Sequence, residues 1–383
     1  MSTKVKCENM PNPPAILVYI SLLFVPGVYI LLLGCAAAML GGTGFVCYWV
    51  FTWMTSGHRV PVKLLGIVIL LMIGALMGCW AVVRGIAATI WSKPQFEPAL
   101  IVPLNKEPEL GKFIAGLCSA VGTGLPDYVM IHAEPTFYVC QSKIETLNGR
   151  AKGRILAIGL PLVAGLTINE LRAILAHEFA HFSGGDTLYS SRVVPVYSGA
   201  VTACATMTEC INESDSMSQA LPMMAPRFLL DIYLRLFHLI NMTISRTREK
   251  RADMISALTC GSQSFKIALM KTAGLMPTFW DESAKKIVME NNPDNCSYYT
   301  AFRSSLPKLT DLANAHYKHR LIEVENKYDS HPILQTRLES IPDIVERYTD
   351  KGSSSRLLIN LEEYEQKLGE FYKIASAAPM HNT

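Results

Sequence analysis

Hydrophobic residues are concentrated in two long apolar runs in the first quarter of this chain. Residues 15–54 contain no charged side chain, and as one helix they would be about 60 Å long, twice the roughly 30 Å of a bilayer core. We expect Pro26 to break this run and one tilted span to follow over residues 28–53. Residues 64–83 are also uncharged and predict a second span. Residues 1–94 are therefore predicted to form a membrane anchor with two transmembrane helices.

After this anchor the pattern changes to short strand-like segments and amphipathic helices. Four segments have the length and composition of strands, over residues 99–103, 128–132, 137–141 and 154–158. Thr167 and Glu170 have the spacing of a capping box, which predicts the start of a long helix. Strands followed by helices indicate a helix-rich α+β fold, in which the N-terminal transmembrane helices precede a domain with a small sheet over residues 95–345.

A second helical region, residues 190–244, interrupts this domain. Arg227, Asp231 and Arg235 recur every four residues and would form a charged stripe on an amphipathic helix. Such charges make a full membrane crossing costly. We therefore expect a helical hairpin insert packed at the membrane surface or over the functional site, with two true spans as the alternative. Residues 346–383 are predicted to form a C-terminal helix and tail.

The composition supports a membrane protein and argues against several other classes. Half of the residues are hydrophobic and only 17% are charged, against roughly a quarter in soluble domains. The net charge of +3 is small, and no basic cluster with interleaved aromatic residues occurs, so nucleic-acid binding is not expected. The ten cysteines are scattered without a C-x-x-C pair, which indicates reduced thiols rather than disulfides or a thiolate metal site.

The stretch from His177 to His181 reads H-E-x-x-H and lies on the predicted long helix. Positions four apart share a helix face, so both imidazoles could bind one zinc ion. Glu178 would reach the open coordination position of that ion and could act as a general base on water. The motif also arises by chance on amphipathic helices. If it is functional, it indicates metal-assisted hydrolysis of an amide.

Two histidines do not complete a zinc site, so further ligands are needed. The candidates are a histidine or cysteine on a later loop, or a carboxylate on a second helix. Glu249 is the best of these, because Asp253 lies four residues later on the same face and could accept a hydrogen bond from a ligand imidazole. A solvated charged face is the alternative, since Arg248, Lys250 and Arg251 surround Glu249.

Hydrolysis of a peptide also needs a surface that holds an extended backbone beside the metal. An exposed sheet edge can do this by adding the substrate as a strand. The candidate edge consists of Thr136, Phe137, Tyr138, Val139 and Cys140, with an ordinary core strand as the alternative. His331, late in the chain, could donate a hydrogen bond to the oxyanion of the reaction, or could be a detail of a His-Pro loop.

Three sequence blocks together resemble one known family. They are His177-Glu178-x-x-His181 with Asp186 five residues on, Ser245-Arg246-x-x-Glu249-x-x-Ala252-Asp253, and Ser330-His331-Pro332-x-x-x-x-Arg337. In this order they resemble the HtpX-type integral-membrane zinc metalloproteases, which are gluzincins related to the CAAX prenyl endopeptidases. The resemblance covers residues 95–345. One departure is Pro135-Thr136-Phe137, at a place where the family often carries Asn-Ala-Phe before the motif helix.

The resemblance implies a zincin-type metalloprotease domain that binds one zinc ion per chain. The implied roles are zinc ligation by His177, His181 and Glu249, general-base catalysis by Glu178, orientation of the ligand imidazoles by Asp186 and Asp253, and transition-state support by His331.

The predicted function is that of a membrane-anchored zinc metalloendopeptidase, which the resemblance connects with quality control of membrane proteins. Two alternatives stay open: a dedicated CAAX-type or other processing protease, and a non-catalytic membrane receptor or scaffold that retains the fold. The expected partners are polypeptide substrates, membrane proteins among them, and the lipid bilayer, and self-association is left open. By resemblance, the chain would be a multi-pass membrane protein with its catalytic domain on the cytoplasmic face.

Overall fold

The computed structural model describes residues 13–91, 94–292, 295–323 and 332–377. The α-helices in these ranges are α1 (Ala15–Thr55), α2 (Val62–Ile90), α3 (Pro108–Val121), α4 (Leu160–Gly165), α5 (Ile168–Ser183), α6 (Asp186–Asn212), α7 (Met217–Cys260), α8 (Ser262–Trp280), α9 (Glu282–Glu290), α10 (Tyr298–Leu321), α11 (Leu334–Ser340) and α12 (Leu361–Ala377). The strands are β1 (Gln95–Phe96), β2 (Ala99–Ile101), β3 (Tyr128–His132), β4 (Phe137–Thr146) and β5 (Gly149–Gly159). The predicted class, a helix-rich α+β fold with a small sheet, is confirmed.

The first apolar run forms one continuous helix, α1. Pro26 lies inside this helix, which runs from Ala15 to Thr55 without interruption. The expected break at Pro26 is wrong, because a proline removes one backbone hydrogen bond, whereas a break in apolar surroundings would leave several unsatisfied. Helix α2 covers the second predicted span and extends beyond both of its ends. By length and composition α1, α2 and α7 could each cross a membrane.

The chain divides into two compact units, and the division falls within α6 and α7. The helical unit combines Pro13–Lys93 with Ser190–Ile244, and the sheet unit combines Pro94–Tyr189 with Ser245–Thr383. The domain limits given in the sequence analysis stay predictions. For the insert, α7 is long and apolar enough to cross a membrane, whereas α6 is not among the candidate spans of the described residues, so the hairpin at the membrane surface and the two true spans both stay predictions.

Close helix contacts at small residues hold the helical unit together. A Cβ on Gly74 would lie 1.8 Å from the carbonyl oxygen of Gln219, and one on Gly78 would lie 2.3 Å from the sulfur of Met39. Glycine is therefore needed at Gly74, where α2 approaches the backbone of α7, whereas a side chain at Gly78 would require Met39 of α1 to move.

The charged stripe of α7 finds partners within the same helical unit. Arg227 donates from Nε to the hydroxyl of Thr208 at 2.9 Å, and Arg235 donates from Nε to Asp231 Oδ2 at 2.8 Å. Pairing lowers the cost of placing charged side chains in apolar surroundings. The stripe is thus less of an obstacle to a membrane crossing than the sequence suggests.

The sheet unit contains five strands in the order β1-β4-β5-β3-β2. Strands β4 and β5 form an antiparallel hairpin, β3 runs parallel to β5, and β2 runs antiparallel to β3. The short strand β1 runs parallel to β4 and pairs with Ile144 and Glu145 alone. Within the described part of the chain, β4 therefore has an open edge from Phe137 to Lys143.

Helix α5 is anchored in the main hydrophobic core of the sheet unit. The predicted capping box is confirmed: the Thr167 hydroxyl accepts from the amide of Glu170, and the Glu170 carboxylate accepts from the amide of Thr167. Leu171, Leu175 and Phe179 are buried, and α5 packs against α3, α8 and β4. Cap and core together fix the rotation of α5 about its axis, and hence the direction of its opposite face.

A segment without regular helix, residues 341–353, follows α11 and crosses the start of α5; we call it the C-terminal strap. The amide of Ile168 donates to the carbonyl of Gly352 at 2.8 Å. The side-chain amide of Asn169 donates to the carbonyl of Tyr348 at 2.7 Å. The strap therefore satisfies polar groups in the first turn of α5, where a helix has no internal partners for them.

Candidate metal centre

Two histidines of α5 lie one helical turn apart on the same face. The ring centroids of His177 and His181 are 5.0 Å apart. His177 is buried and stacks on the ring of Phe265 from α8, with 5.9 Å between the ring centroids. This packing restricts rotation of the His177 imidazole.

Glu249 of α7 lies opposite the two histidines. Its Oε2 atom is 3.5 Å from Nε2 of His177, and its Oε1 atom is 3.4 Å from Nε2 of His181. Glu249 is only 4% exposed. The alternative of a solvated face is therefore wrong for this carboxylate, because the helix turns it inward while its neighbour Lys250 is exposed.

The three donor groups fit a zinc ion by type and by separation. Zinc binds imidazole nitrogen and carboxylate oxygen at about 2.0–2.2 Å in a tetrahedral arrangement, which places neighbouring donor atoms about 3.3–3.6 Å apart. The observed nitrogen–oxygen separations of 3.5 and 3.4 Å agree with this geometry. Three protein donors leave one position open, as in catalytic zinc sites. Within the described ranges, this is the one group of metal-binding side chains with such convergence.

A carboxylate faces the second ring nitrogen of His177. Nδ1 of His177 is 2.9 Å from Oδ1 of Asp253. Arg337 of α11 holds Asp253 with two hydrogen bonds, from Nε to Oδ2 at 3.0 Å and from Nη2 to Oδ1 at 2.6 Å. This fork fixes the carboxylate, which in turn leaves Nε2 of His177 as the atom available to a metal. No role for Arg337 is predicted from the sequence, where its place in the third block is the only signal that points to it.

A second carboxylate faces His181 in the same way. Nδ1 of His181 is 3.1 Å from Oδ2 of Asp186. Arg251 donates from Nη2 to the same oxygen at 2.7 Å, and Nε of Arg248 is 3.0 Å from Oδ1. Burial by itself would raise the pKa of Asp186, but the hydrogen bond with His181 and the two guanidinium charges lower it. The view of Arg248 and Arg251 as a solvated face is therefore wrong, because both pair with Asp186 in a largely buried setting.

The predicted base, Glu178, lies on α5 between the two histidines and is half-buried. Burial would lower the pKa of the Arg337 guanidinium, but the carboxylate of Asp253 and, more weakly, that of Glu178 raise it overall. Glu178 is thus within electrostatic range of the Arg337 side of the centre. His331, the predicted transition-state residue, lies outside the described residues.

The predicted substrate-binding segment lies at the start of β4. Thr136 precedes this strand, and the other four residues begin it. Phe137 and Val139 pack against the main core, whereas Tyr138 and Cys140 pack against a smaller cluster that includes Met130 and Ile155. Because α5 packs against β4, the open edge belongs to an element next to the histidine helix. Its use for peptide binding stays a prediction.

The carboxylates around His177 favour its protonated form. Burial by itself would lower the pKa of this imidazole, but hydrogen bonds and charges from Asp253 and Glu249 outweigh that effect and raise the pKa to about 10. An imidazole that binds zinc must be neutral at the bonding nitrogen. Zinc must therefore displace a proton from His177.

We expect zinc uptake at pH 7 to release this proton. Since the pKa of His177 lies above 7, the apparent zinc affinity should rise with pH by about tenfold per unit up to about pH 10, and fall as the pH is lowered. Calorimetric zinc titrations of the chelator-treated full chain, in two buffers of different ionisation enthalpy, measure the number of protons released. A binding heat that does not depend on the buffer would contradict the expectation.

Comparison with known proteins places this chain in a family. The sequence profile of peptidase family M48 matches residues 128–345, more than half of the chain. The protease HtpX homologue of Leptothrix cholodnii is 25% identical over 261 residues, which cover 63% of this chain and 86% of the homologue. The HtpX homologue of Acidovorax ebreus is 25% identical over 242 residues, which cover 58% and 80%.

A solved structure is also similar to this chain. The crystal structure of S. mikatae Ste24p matches 80% of this chain and 63% of its own, so the chain spans less than two thirds of it, with a TM-score of 0.34 and 15% identity. The profile match spans the histidines of α5, the carboxylates of α6 and α7, and Arg337. The resemblance found in the sequence is confirmed, and this chain belongs to peptidase family M48.

Proposed function

We propose that this chain is a membrane-anchored zinc metalloendopeptidase that cleaves polypeptides, membrane proteins among them, as part of protein quality control. The observation that carries the proposal is the buried convergence of His177, His181 and Glu249, in which each imidazole is backed by a carboxylate. Membership of a peptidase family supports proteolysis, and three long apolar helices support a membrane setting. A scaffold without catalysis would have no use for this set of buried charges, which are costly to bury unless they are paired.

The residues divide the chemistry between them. When bound, zinc supplies a Lewis acid that makes water acidic near neutral pH and polarises the substrate carbonyl. His177, His181 and Glu249 hold the ion, and their surrounding carboxylates fix the imidazoles. Glu178 accepts the proton of the attacking water and passes it to the leaving amine. An extended substrate would add to the open edge of β4, and His331 would donate to the oxyanion, a role that rests on the sequence resemblance alone.

The membrane arrangement belongs to the same proposal. Two N-terminal spans, α1 and α2, tie the sheet unit to the bilayer, and α7 is long and apolar enough to add another. The long apolar helices support a multi-pass protein, and by the sequence resemblance its catalytic domain would lie on the cytoplasmic face. Such a position would give the centre access to the cytoplasmic segments of damaged membrane proteins.

Removal of the metal tests this function directly. The purified full chain in detergent is expected to contain about one zinc per chain and to cleave a denatured membrane protein. Treatment with 1,10-phenanthroline should remove the zinc and abolish cleavage. Added zinc should restore cleavage, because the ion supplies the Lewis acid. A chain without zinc, or cleavage that survives its removal, would contradict the proposal. Cleavage confined to prenylated peptides would instead indicate a dedicated processing protease.

A further inference from the structure

Two arginines hold the carboxylate that faces His181. Both oxygens of Asp186 are engaged: Oδ2 lies near His181 Nδ1 and accepts from Arg251, and Oδ1 lies 3.0 Å from Arg248 Nε. The guanidinium of Arg248 also stacks on the ring of Tyr189, 4.1 Å from its centroid. Asp186 therefore cannot rotate without losing one of these ion pairs.

Gly184 lies directly against the guanidinium of Arg251. The backbone of Gly184 is in the ordinary right-handed region, with φ −82° and ψ −4°, which any residue can adopt. A Cβ at this position would nevertheless lie 1.8 Å from Nη2 of Arg251. Its neighbour Gly185 differs in both respects. Its φ is +71°, in the left-handed region, and no atom lies within 4 Å of the position that a Cβ would occupy. A side chain at position 184 would therefore displace the guanidinium of Arg251 from its place beside Asp186, whereas position 185 favours glycine because of its backbone conformation.

The arrangement around His181 parallels that around His177. On the His177 side, a single arginine, Arg337, holds Asp253 with a fork. On the His181 side, Arg251 and Arg248 come from the same helix as Glu249, one turn apart, and share one carboxylate. A carboxylate is itself a good zinc ligand. Holding it by both oxygens keeps it on the imidazole and away from the ion.

We propose that Arg251, supported by Arg248 and accommodated by Gly184, is a positioning residue for zinc binding. It fixes Asp186, and Asp186 fixes the His181 ring so that Nε2 points toward Glu249. The inference rests on the proposed function, because it requires zinc at this centre. It extends that function to residues that neither touch the metal nor belong to the H-E-x-x-H motif.

Charge-matched variants of α7 test the proposal. Arg251→Gln is expected to weaken zinc binding by up to roughly 10–100-fold, the range for loss of the group that bonds a metal ligand, which here is Asp186. Lys250→Gln removes the same charge one position away at an exposed site and should bind zinc like the wild-type chain. Arg251→Lys should recover part of the affinity, because an ammonium group can replace the hydrogen bond from Nη2 to Asp186. Zinc affinity is measured by competition with a chromophoric chelator in the full-length protein, and the visible spectrum of the cobalt-substituted protein reports the ligand geometry.

A double-mutant cycle separates this role from a general loss of stability. Gly184→Ala alone should weaken zinc binding by a factor similar to that of Arg251→Ala, because the added methyl displaces the guanidinium. In the Arg251→Ala background the same Gly184→Ala change should have little further effect, so the two losses are not additive. Thermal unfolding in the presence of chelator checks that each variant is folded.

The outcomes for this proposal and for the proposed function are distinct. If the wild-type chain binds zinc, but Arg251→Gln keeps its affinity and cobalt spectrum, the positioning role is overturned and the proposed function stands. If the losses of zinc affinity caused by Gly184→Ala and Arg251→Ala are additive, Gly184 does not act through Arg251, and that part of the proposal is overturned. A wild-type chain that binds no zinc overturns the proposed function, and the role of Arg251 with it.

Discussion

Glu178→Ala is expected to bind one zinc per chain and to lose peptidase activity. The glutamate is not among the three converging donors, so its removal leaves the metal centre intact. It does remove the group that accepts the proton of water and returns it to the leaving amine. General acid–base catalysis contributes roughly 10²–10⁴-fold to rate, and we expect at least this loss in kcat. Zinc content and cleavage of a denatured membrane protein are measured on the same preparation.

Two further variants sharpen the result for Glu178. Glu178→Gln keeps the size of the side chain and should be as inactive as Glu178→Ala, because an amide is not a base near neutral pH. Glu290→Gln, at an exposed position of α9, removes the same charge and should keep full activity. If either Glu178 variant cleaves the substrate at the wild-type rate, another group must serve as the base.

Glu249→Gln is expected to lose both zinc and activity. A neutral amide is a poor zinc ligand, and the change replaces the carboxylate that lies within 3.5 Å of both histidine Nε2 atoms. The loss of zinc affinity should exceed the roughly 10–100-fold expected when a metal ligand loses its hydrogen-bonding partner. It should therefore also exceed the loss caused by Arg251→Gln. Metal analysis after gel filtration measures the zinc that stays bound, and competition with a chelator measures the remaining zinc affinity.

The fold of the Glu249→Gln protein should survive this loss. In the presence of chelator its melting temperature is expected to be lower than that of the wild-type chain, because His177 and Arg337 lose one of their buried carboxylate partners, while a single cooperative unfolding transition shows that the fold is kept. Zinc retained at one per chain would show that Glu249 is not a ligand. Glu178→Ala and Glu249→Gln thus form a pair in which the first keeps the metal and loses the chemistry, and the second loses both.

Local spacing made much of the sheet unit predictable. The capping box at Thr167 and Glu170 and the limits of β3 were correct, because each depends on neighbours within a few residues. The shared face of His177 and His181 follows from helix geometry alone. Glu249 could be nominated for the same reason, through its i, i+4 relation to Asp253.

Long-range contacts account for most of what the sequence did not reveal. Arg251 looked solvent-facing, because nothing near it in the sequence indicated that Asp186 of another helix would take its charge. Gly184 directly follows α5, where glycine is common at a helix end, and the atom that a side chain would meet there belongs to that same distant arginine. The break expected at Pro26 failed for a related reason: the local rule for proline gave way to the need for satisfied backbone hydrogen bonds in an apolar helix.

The division of the sheet unit by residues 190–244 has a consequence during biosynthesis. The ribosome delivers α1, α2 and both histidines of α5 well before Glu249, and Arg337 comes later still. The strap that crosses the start of α5 follows after that. A nascent chain already inserted through its first helices therefore carries two histidines without their carboxylate partner. Until Glu249 has been translated the centre lacks one of its three donors, and until Arg337 follows it lacks the group that holds Asp253.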